Sequence, residues 1–329
     1  MKLRQILSER KIQSWAYWQI VYEWEDILSK NLNIPITYIA KTENIAFKVF
    51  RRLKLLKYVQ WLNFKSPASA PSLYFAMYAD KNFSYGLKKN VIPVIIDFFL
   101  KKEKLPEFHT AHQNCDLILI SSLEAFNFLK TNNSSLNIQH FPLSISDNYR
   151  LTENSHYKKD IDVLMAGRKN PVIWEYLQRY STENKEFEYV YQINVDGKLM
   201  YESNKKGIIG EFHSREEYTD LLRSAKISFY ATPGVDGGEE RTNGFNPVTP
   251  RFLELMTAGC LLMGRYPVNA ETTFYELEQY CPRIESYEEF INILENYNSL
   301  DSYPKEKYIK YLDKHYTSVR AKQLENILK

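Results

Sequence analysis

The sequence predicts an α/β protein of two domains, each built on a parallel sheet, and three observations predict it. Apolar runs of strand length alternate with helical patterns along most of the chain. The alternation stops at 147–160, a polar stretch without periodicity. A length of 329 residues also exceeds the size at which a single hydrophobic core keeps growing. The expected domains are therefore 1–150 and 160–329.

Composition sets the class. Apolar residues at 44% and charged residues at 25% are those of a globular chain, and a formal charge of +3 gives no strong pull toward nucleic acid. The 25 tyrosines and 18 phenylalanines suit a carbohydrate binder, whose aromatic faces stack on sugar C–H surfaces; a biased genome accounts for them equally well. Cys115, Cys260 and Cys281 lie in unrelated contexts, which argues against a disulfide framework or a zinc site. Charges at Lys2 and Arg4 come too soon for a signal-peptide core, and no window approaches 18 uninterrupted apolar residues. The expected location is the cytoplasm.

In the first half, Trp15, Trp18, Tyr22 and Ile27 mark a helix over 14–30, followed by a short strand from Pro35 to Ala40. That is a helix-first opening, without the glycine-rich first turn of many nucleotide-binding domains. Residues 47–64 join five basic residues to a wide apolar face. Such a helix either covers the sheet with its lysines in water or touches anionic lipid with its rim, and the two are compatible. Leu73 to Ala79 reads as a buried segment, and Asn90 to Asp97 as an almost wholly apolar strand ending on a carboxylate. Side chains at the carboxyl ends of parallel strands line the ligand crevice, which makes Asp97 a candidate for catalysis or acceptor binding. Strands follow at 116–120 and 137–141, with Ser121 and Glu124 as a capping box for the helix between them.

The second half restarts with a strand from Ile161 that breaks into Gly167-Arg168-Lys169. Glycine lets the backbone approach a ligand, and two cations neutralise charge on a departing diphosphate. A helix over 172–180, a strand over 187–193, a helix boxed by Ser214 and Glu217, and a strand over 226–232 come next. The long loop after that strand carries Arg241 as a phosphate-binding cation, while Asp236, Glu239 and Glu240 either contact sugar hydroxyls or a metal or are simply solvated, the commoner state of three acids in a loop, and no metal site is assigned.

The most informative stretch runs from Asn246 to Gly264. Thr249 is placed to cap a short helix, Pro250 suits its first position, Gly259 ends it, and an apolar strand follows from Cys260 to Met263. The helix N-terminus and Arg251 make an anion site. Glu254, three residues on, shares the face and is placed to accept from ribose hydroxyls, unless the two are simply a solvated pair. Ser286 and Glu289 cap a further helix, and the tail from Pro304 to Lys329 is helical.

Pro250-Arg-Phe-Leu-Glu-Leu-Met-Thr-Ala-Gly-Cys-Leu-Leu resembles the donor-binding segment of GT-B glycosyltransferases, closest to the capsule and exopolysaccharide, family 4-like branch with its pattern P-R-x-x-E-x-x-x-x-G. The commoner GT-B pattern has two glutamates eight positions apart. Glu254 matches the second, and Asn246 stands at the first. The turn Gly167-Arg168-Lys169 is similar to the one that opens the donor domain in many of these enzymes. The resemblance implies two Rossmann-like domains facing across a cleft, with a C-terminal helical tail that crosses back. It implies a transferase moving a sugar from a nucleoside-diphosphate sugar to a glycan or lipid-linked glycan acceptor in surface polysaccharide synthesis: capsule, exopolysaccharide or O-antigen. The donor is then held by Gly167, Arg168, Lys169, Arg241, Thr249, Arg251 and Glu254, with neither cofactor nor metal. On the acceptor side Asp97 is the first choice for a base if the reaction inverts, with His109 and His112 behind it by analogy with the family; a retaining reaction needs none. The site of action is the cytoplasm or the cytoplasmic face of the inner membrane, touched through 47–64. Two other readings keep the fold: a non-catalytic coat or assembly protein, which Asn246 favours, and a nucleotide-sugar epimerase.

Overall fold

The computed structural model describes residues 2–14, 18–53, 55, 70–79, 90–132, 134–196, 198–212, 214–238, 240–300 and 302–329. The chain is an α/β protein that divides into two compact units. The first comprises Met1–Asp147, Arg241–Phe245 and Tyr316–Lys329, the second Asn148–Glu240 and Asn246–His315.

The first unit holds a sheet of β1 (Gln5–Ser8), β2 (Ile36–Tyr38), β3 (Ser72–Tyr78), β4 (Val91–Asp97), β5 (Ile118–Ile120) and β6 (Ile138–His140) in the order β2-β1-β3-β4-β5-β6. Every pairing in it is parallel. Parallel strands need covering on both faces, and β3 and β4 are buried at six of their seven positions each. One face carries α1 (Gln19–Leu32), whose Val21, Trp24 and Leu28 join Leu73, Phe75, Ile92 and Val94 in one core. The closing helix, Thr317–Leu328, adds Ala321, Leu324 and Leu328 to the same core, and its Arg320 Nε donates to the Pro142 carbonyl at 3.0 Å. α2 (Lys41–Arg52), α3 (Leu105–His112) and α4 (Leu123–Thr131) complete the connections. Phe245 packs on Phe98 and Phe128 at ring distances of 5.8 and 5.2 Å, which accounts for the membership of 241–245 in this unit.

Three local expectations are corrected. The chain opens on β1 rather than on a helix, a four-residue strand flanked by charges and held between β2 and β3. The helix expected over 47–64 is α2, which starts at Lys41; residue 54 and residues 56–64, like Trp15, lie outside the described residues. The cap of α4 is Ser122, which accepts from the Ala125 N–H, because the Ser121 hydroxyl already donates to the Ile96 carbonyl at 2.7 Å.

The second unit holds β7 (Ile161–Met165), β8 (Tyr189–Val195), β9 (Lys198–Ser203), β10 (Gly207–Glu211), β11 (Ala225–Ala231) and β12 (Leu261–Arg265) in the order β10-β9-β8-β7-β11-β12. The four strands β8, β7, β11 and β12 are parallel neighbours, while β9 and β10 add an antiparallel edge. Its helices are α5 (Pro171–Glu183), α6 (Arg215–Ser224), α7 (Pro250–Thr257), α8 (Ala270–Phe274), α9 (Leu277–Tyr280), α10 (Tyr287–Ser299) and α11 (Lys305–Leu312). The capping box of Ser214 and Glu217 forms on α6 as expected, and Ser286 caps α10. The strand order reverses at β7: the chain passes from it to β8 on one side and returns to β11 on the other. Loops leaving β7 and β11 therefore diverge, and the carboxyl ends of those two strands are the place where open parallel sheets take their ligands.

Candidate functional site

The loop after β7 begins Ala166-Gly167, and α7 enters after the long loop that follows β11. The structure joins them. Arg251 lies on the first turn of α7, and its Nη1 donates to the Ala166 carbonyl. Gly167 sits at φ +81°, in the left-handed region, and a Cβ there would overlap the Arg251 guanidinium. Both demands, backbone handedness and room for a cation, are met only by glycine.

The guanidinium has no ion-pair partner among the described residues, and its Nε is buried without a hydrogen-bond partner. Its surroundings are phenolic: Tyr218, Tyr201 and Tyr230 act on it together with Glu254. Burial works against its charge, these neighbours work for it, and the balance raises its pKa. Glu254, one turn along α7, is committed elsewhere, since its carboxylate takes Arg215 of α6 at 2.7 Å. A buried cation left without an anion is costly unless a ligand supplies one.

The end of α7 points the same way. Thr249 occupies the cap position with extended backbone, yet its side chain makes no capping hydrogen bond, contrary to expectation. Its own N–H is taken by the buried Tyr230 hydroxyl at 2.9 Å, which fixes the entry of the helix. The dipole end and the arginine are thus left facing one place.

The loop from β11 is tied down rather than loose. Asp236, at φ 54°, receives Arg265 through Nε at 2.5 Å and Nη2 at 2.7 Å, and Asn170 Nδ2 at 2.8 Å. Asn170 Oδ1 in turn caps α5. Asp236 is therefore a structural anchor and not the solvated acid expected, and hydrogen bonds from Arg265 hold its carboxyl below its ordinary pKa against the opposing effect of burial. Asn246 Oδ1 accepts from the Thr232 hydroxyl at 3.0 Å.

The other expected donor residues make contacts of their own. Arg168 is exposed. Lys169 lies 3.9 Å from the Trp174 ring centroid and 4.2 Å from that of Tyr191, a cation–π sandwich whose burial lowers its pKa. Arg241 belongs to the first unit, 5.8 and 5.7 Å from the Tyr78 and Phe99 ring centroids, because Phe245 anchors its segment there. Of the seven residues expected to hold a donor, the structure gathers Gly167, Thr249, Arg251 and Glu254.

The expected acceptor residues lie in the first unit. Asp97 ends β4, half-buried, beside Tyr78 of β3. His109 keeps its Nε2 buried and without a hydrogen-bond partner among the described residues. His112 is fully buried, its ring tilted against that of Phe108 with centroids 4.2 Å apart, and its Nδ1 donates to the Phe108 carbonyl at 2.8 Å. Burial pushes its pKa down to about 4, so it sits neutral in the core with no exposed atom to offer an acceptor. Two residues central to the site, Tyr218 and Arg215, carry no motif and went unread in the sequence. Among the described residues no cluster of three or more His, Cys, Asp or Glu could hold a metal, and no helix is long and apolar enough to cross a membrane.

No protein-family model matches the chain, and no curated protein does. Among solved structures it is similar to the pneumococcal O-GlcNAc transferase GtfA in complex with UDP and GlcNAc, at 12% identity and a TM-score of 0.47, over 83% of this chain and 58% of that one. It is also similar to the glycotransferase of kitacinnamycin, at 11% identity and a TM-score of 0.40, over 90% of this chain and 87% of that one. A third is sucrose-phosphate synthase from Thermosynechococcus elongatus, at 12% identity and a TM-score of 0.40, over 88% and 76%. The chain spans less than two thirds of the length of the first of these.

Proposed function

We propose that this chain is a GT-B glycosyltransferase that moves a sugar from a nucleoside-diphosphate sugar to a glycan or lipid-linked glycan acceptor in surface polysaccharide synthesis. The observation that carries the reading is the Arg251 guanidinium, paired with no carboxylate among the described residues and pressed on Gly167 at the point where the second sheet reverses its strand order. In the transfer, the bond between the anomeric carbon and the diphosphate oxygen breaks and negative charge grows on the diphosphate. Arg251 and the first turn of α7 would stabilise that charge, the contribution that sugar transfer with a loose transition state most needs. Glu254, oriented by Arg215, would accept from the ribose. Asp97 is the candidate base if the reaction inverts.

Asn246 in place of a glutamate, with its Oδ1 already accepting from Thr232, supports a second reading: a protein that binds the nucleotide without transferring sugar. A panel of nucleotide sugars, tested for hydrolysis and for transfer to glycan acceptors, separates the two. Turnover of one donor supports the transferase. Binding of diphosphates with no turnover of any donor supports the second reading, and no binding removes both.

The reading extends to a peripheral contact with the cytoplasmic face of the membrane. Ile45 and Val49 of α2 and Leu53 just after its end are 60%, 49% and 60% exposed at four-residue spacing, beside exposed Lys41 and Arg52. An apolar stripe with a basic rim suits anionic lipid. Sedimentation with vesicles containing an anionic lipid, lost in Val49→Glu, tests it; equal sedimentation of the two proteins excludes this contact.

A further inference from the structure

Two buried polar atoms of the second unit have no hydrogen-bond partner among the described residues and lie on neighbouring helices: Arg251 Nε on α7 and the Tyr218 hydroxyl on α6. The ion pair between Arg215 of α6 and Glu254 of α7 ties the two helices together at 2.7 Å, and Tyr218 and Arg251 each lie one helical turn from that pair. The surrounding side chains are locked. Arg215 takes Glu254 at 2.7 Å and lies 5.6 Å above the Tyr218 ring, while the capping box of Ser214 fixes the turn of α6 from which Tyr218 projects. Burying a hydroxyl unpaired costs free energy, and so does leaving part of a guanidinium unpaired; two such atoms flanking one ion pair mark a place that a ligand completes. Both present hydrogen to an acceptor, since burial keeps the phenol protonated by raising its pKa well above the ordinary value. The complement to two donors, one of them charged, is an anionic oxygen.

We propose that Tyr218 and Arg251 form a two-donor subsite that grips one phosphate group of the diphosphate, the Tyr218 hydroxyl and Arg251 Nε–H converging on it. The inference rests on the diphosphate reading above and deepens it. It adds a binding residue from α6, and it predicts that recognition there is of phosphate rather than of base or ribose.

The test is Tyr218→Phe, titrated calorimetrically with inorganic pyrophosphate and with a nucleoside diphosphate, alongside thermal melting without ligand. Losing one hydrogen bond to a charged group should weaken both ligands by about tenfold and by the same factor. The unliganded variant should melt at or above the wild-type temperature, because an unpaired hydroxyl has been removed from the interior. Arg251→Lys, which keeps the charge and loses the fork, should weaken both ligands as well. Equal affinities of wild type and Tyr218→Phe would overturn the subsite while leaving the diphosphate reading intact. A loss confined to the nucleoside diphosphate, or a lowered melting temperature, would make Tyr218 a nucleoside contact or a packing residue instead. Failure of the wild type to bind either ligand would remove both the subsite and the reading beneath it.

Discussion

Gly167→Ala perturbs the site through its backbone alone and leaves every charge in place. Alanine at φ +81° pays the left-handed penalty, roughly 1–2 kcal/mol. Its Cβ also enters the space of the Arg251 guanidinium, the far end of a flexible side chain, so the arginine yields rather than the backbone. In yielding it surrenders the hydrogen bond to the Ala166 carbonyl, worth about 1.5–3 kcal/mol for a charged donor. Urea denaturation should therefore show a loss of about 3 kcal/mol, the two contributions overlapping as the arginine finds water. If the displaced guanidinium is the diphosphate ligand, affinity for a nucleoside diphosphate should also fall by about 2 kcal/mol, or roughly thirtyfold. Calorimetric titration of the folded variant separates the two effects. Reduced stability with undiminished affinity would refute the assignment, because the arginine would have moved without consequence for the ligand.

Two further outcomes follow from the same geometry. His112 carries an acid-linked instability: its folded pKa of about 4 lies below the ordinary 6.5, so the unfolded chain binds the proton first as pH falls. Stability is lost below pH 6.5 and continues to fall toward pH 4, by about 2 kcal/mol between pH 7 and pH 5. His112→Phe should remove that contribution, so the stability difference between variant and wild type in urea should shift by about 2 kcal/mol between pH 7 and pH 5, whatever His140 and Glu25 add to both proteins. A difference that does not change with pH would show that the ring is accessible and titrates normally. Asp236→Asn leaves Arg265, 20% exposed in its side chain, without its carboxylate, and should lower stability by about 2 kcal/mol in thermal melts. Asparagine tolerates the left-handed backbone at that position, so a loss near zero would mean the pair is screened by water.

The parts of this fold that the sequence declares are those written locally. Ser214 and Glu217 are three residues apart and form their box wherever a helix starts, and the apolar runs of β3, β4 and β12 admit little but buried parallel strands. Elements decided by distant neighbours were harder to read. β1 has four residues between charges and is a strand because β2 and β3 flank it. β9 and β10 lie at the sheet edge, where exposed Leu199, Ile208 and Ile209 spoil the apolar pattern. Adjacent serines at 121 and 122 are equally good caps on paper, and only the carbonyl of Ile96 chooses between them.

The site divides along the same line. Gly167 and Arg251 each stand out in the sequence, but 84 residues separate them, and only the adjacency of β7 and β11 makes them one centre. Tyr218 and Arg215 sit on an ordinary amphipathic helix with no spacing signal, and they matter because α6 packs beside α7. Lys169 and Arg241 read as phosphate cations because they are basic residues in loops; the aromatic rings beside them are invisible to a local reading.

Arg251→Gln, compared with wild type in a calorimetric titration of a nucleoside diphosphate at two salt concentrations, measures the central claim most directly. The account predicts a wild-type affinity that weakens with salt and a variant at least tenfold weaker with a shallower salt dependence. Identical affinity and identical salt dependence in the two proteins would contradict it.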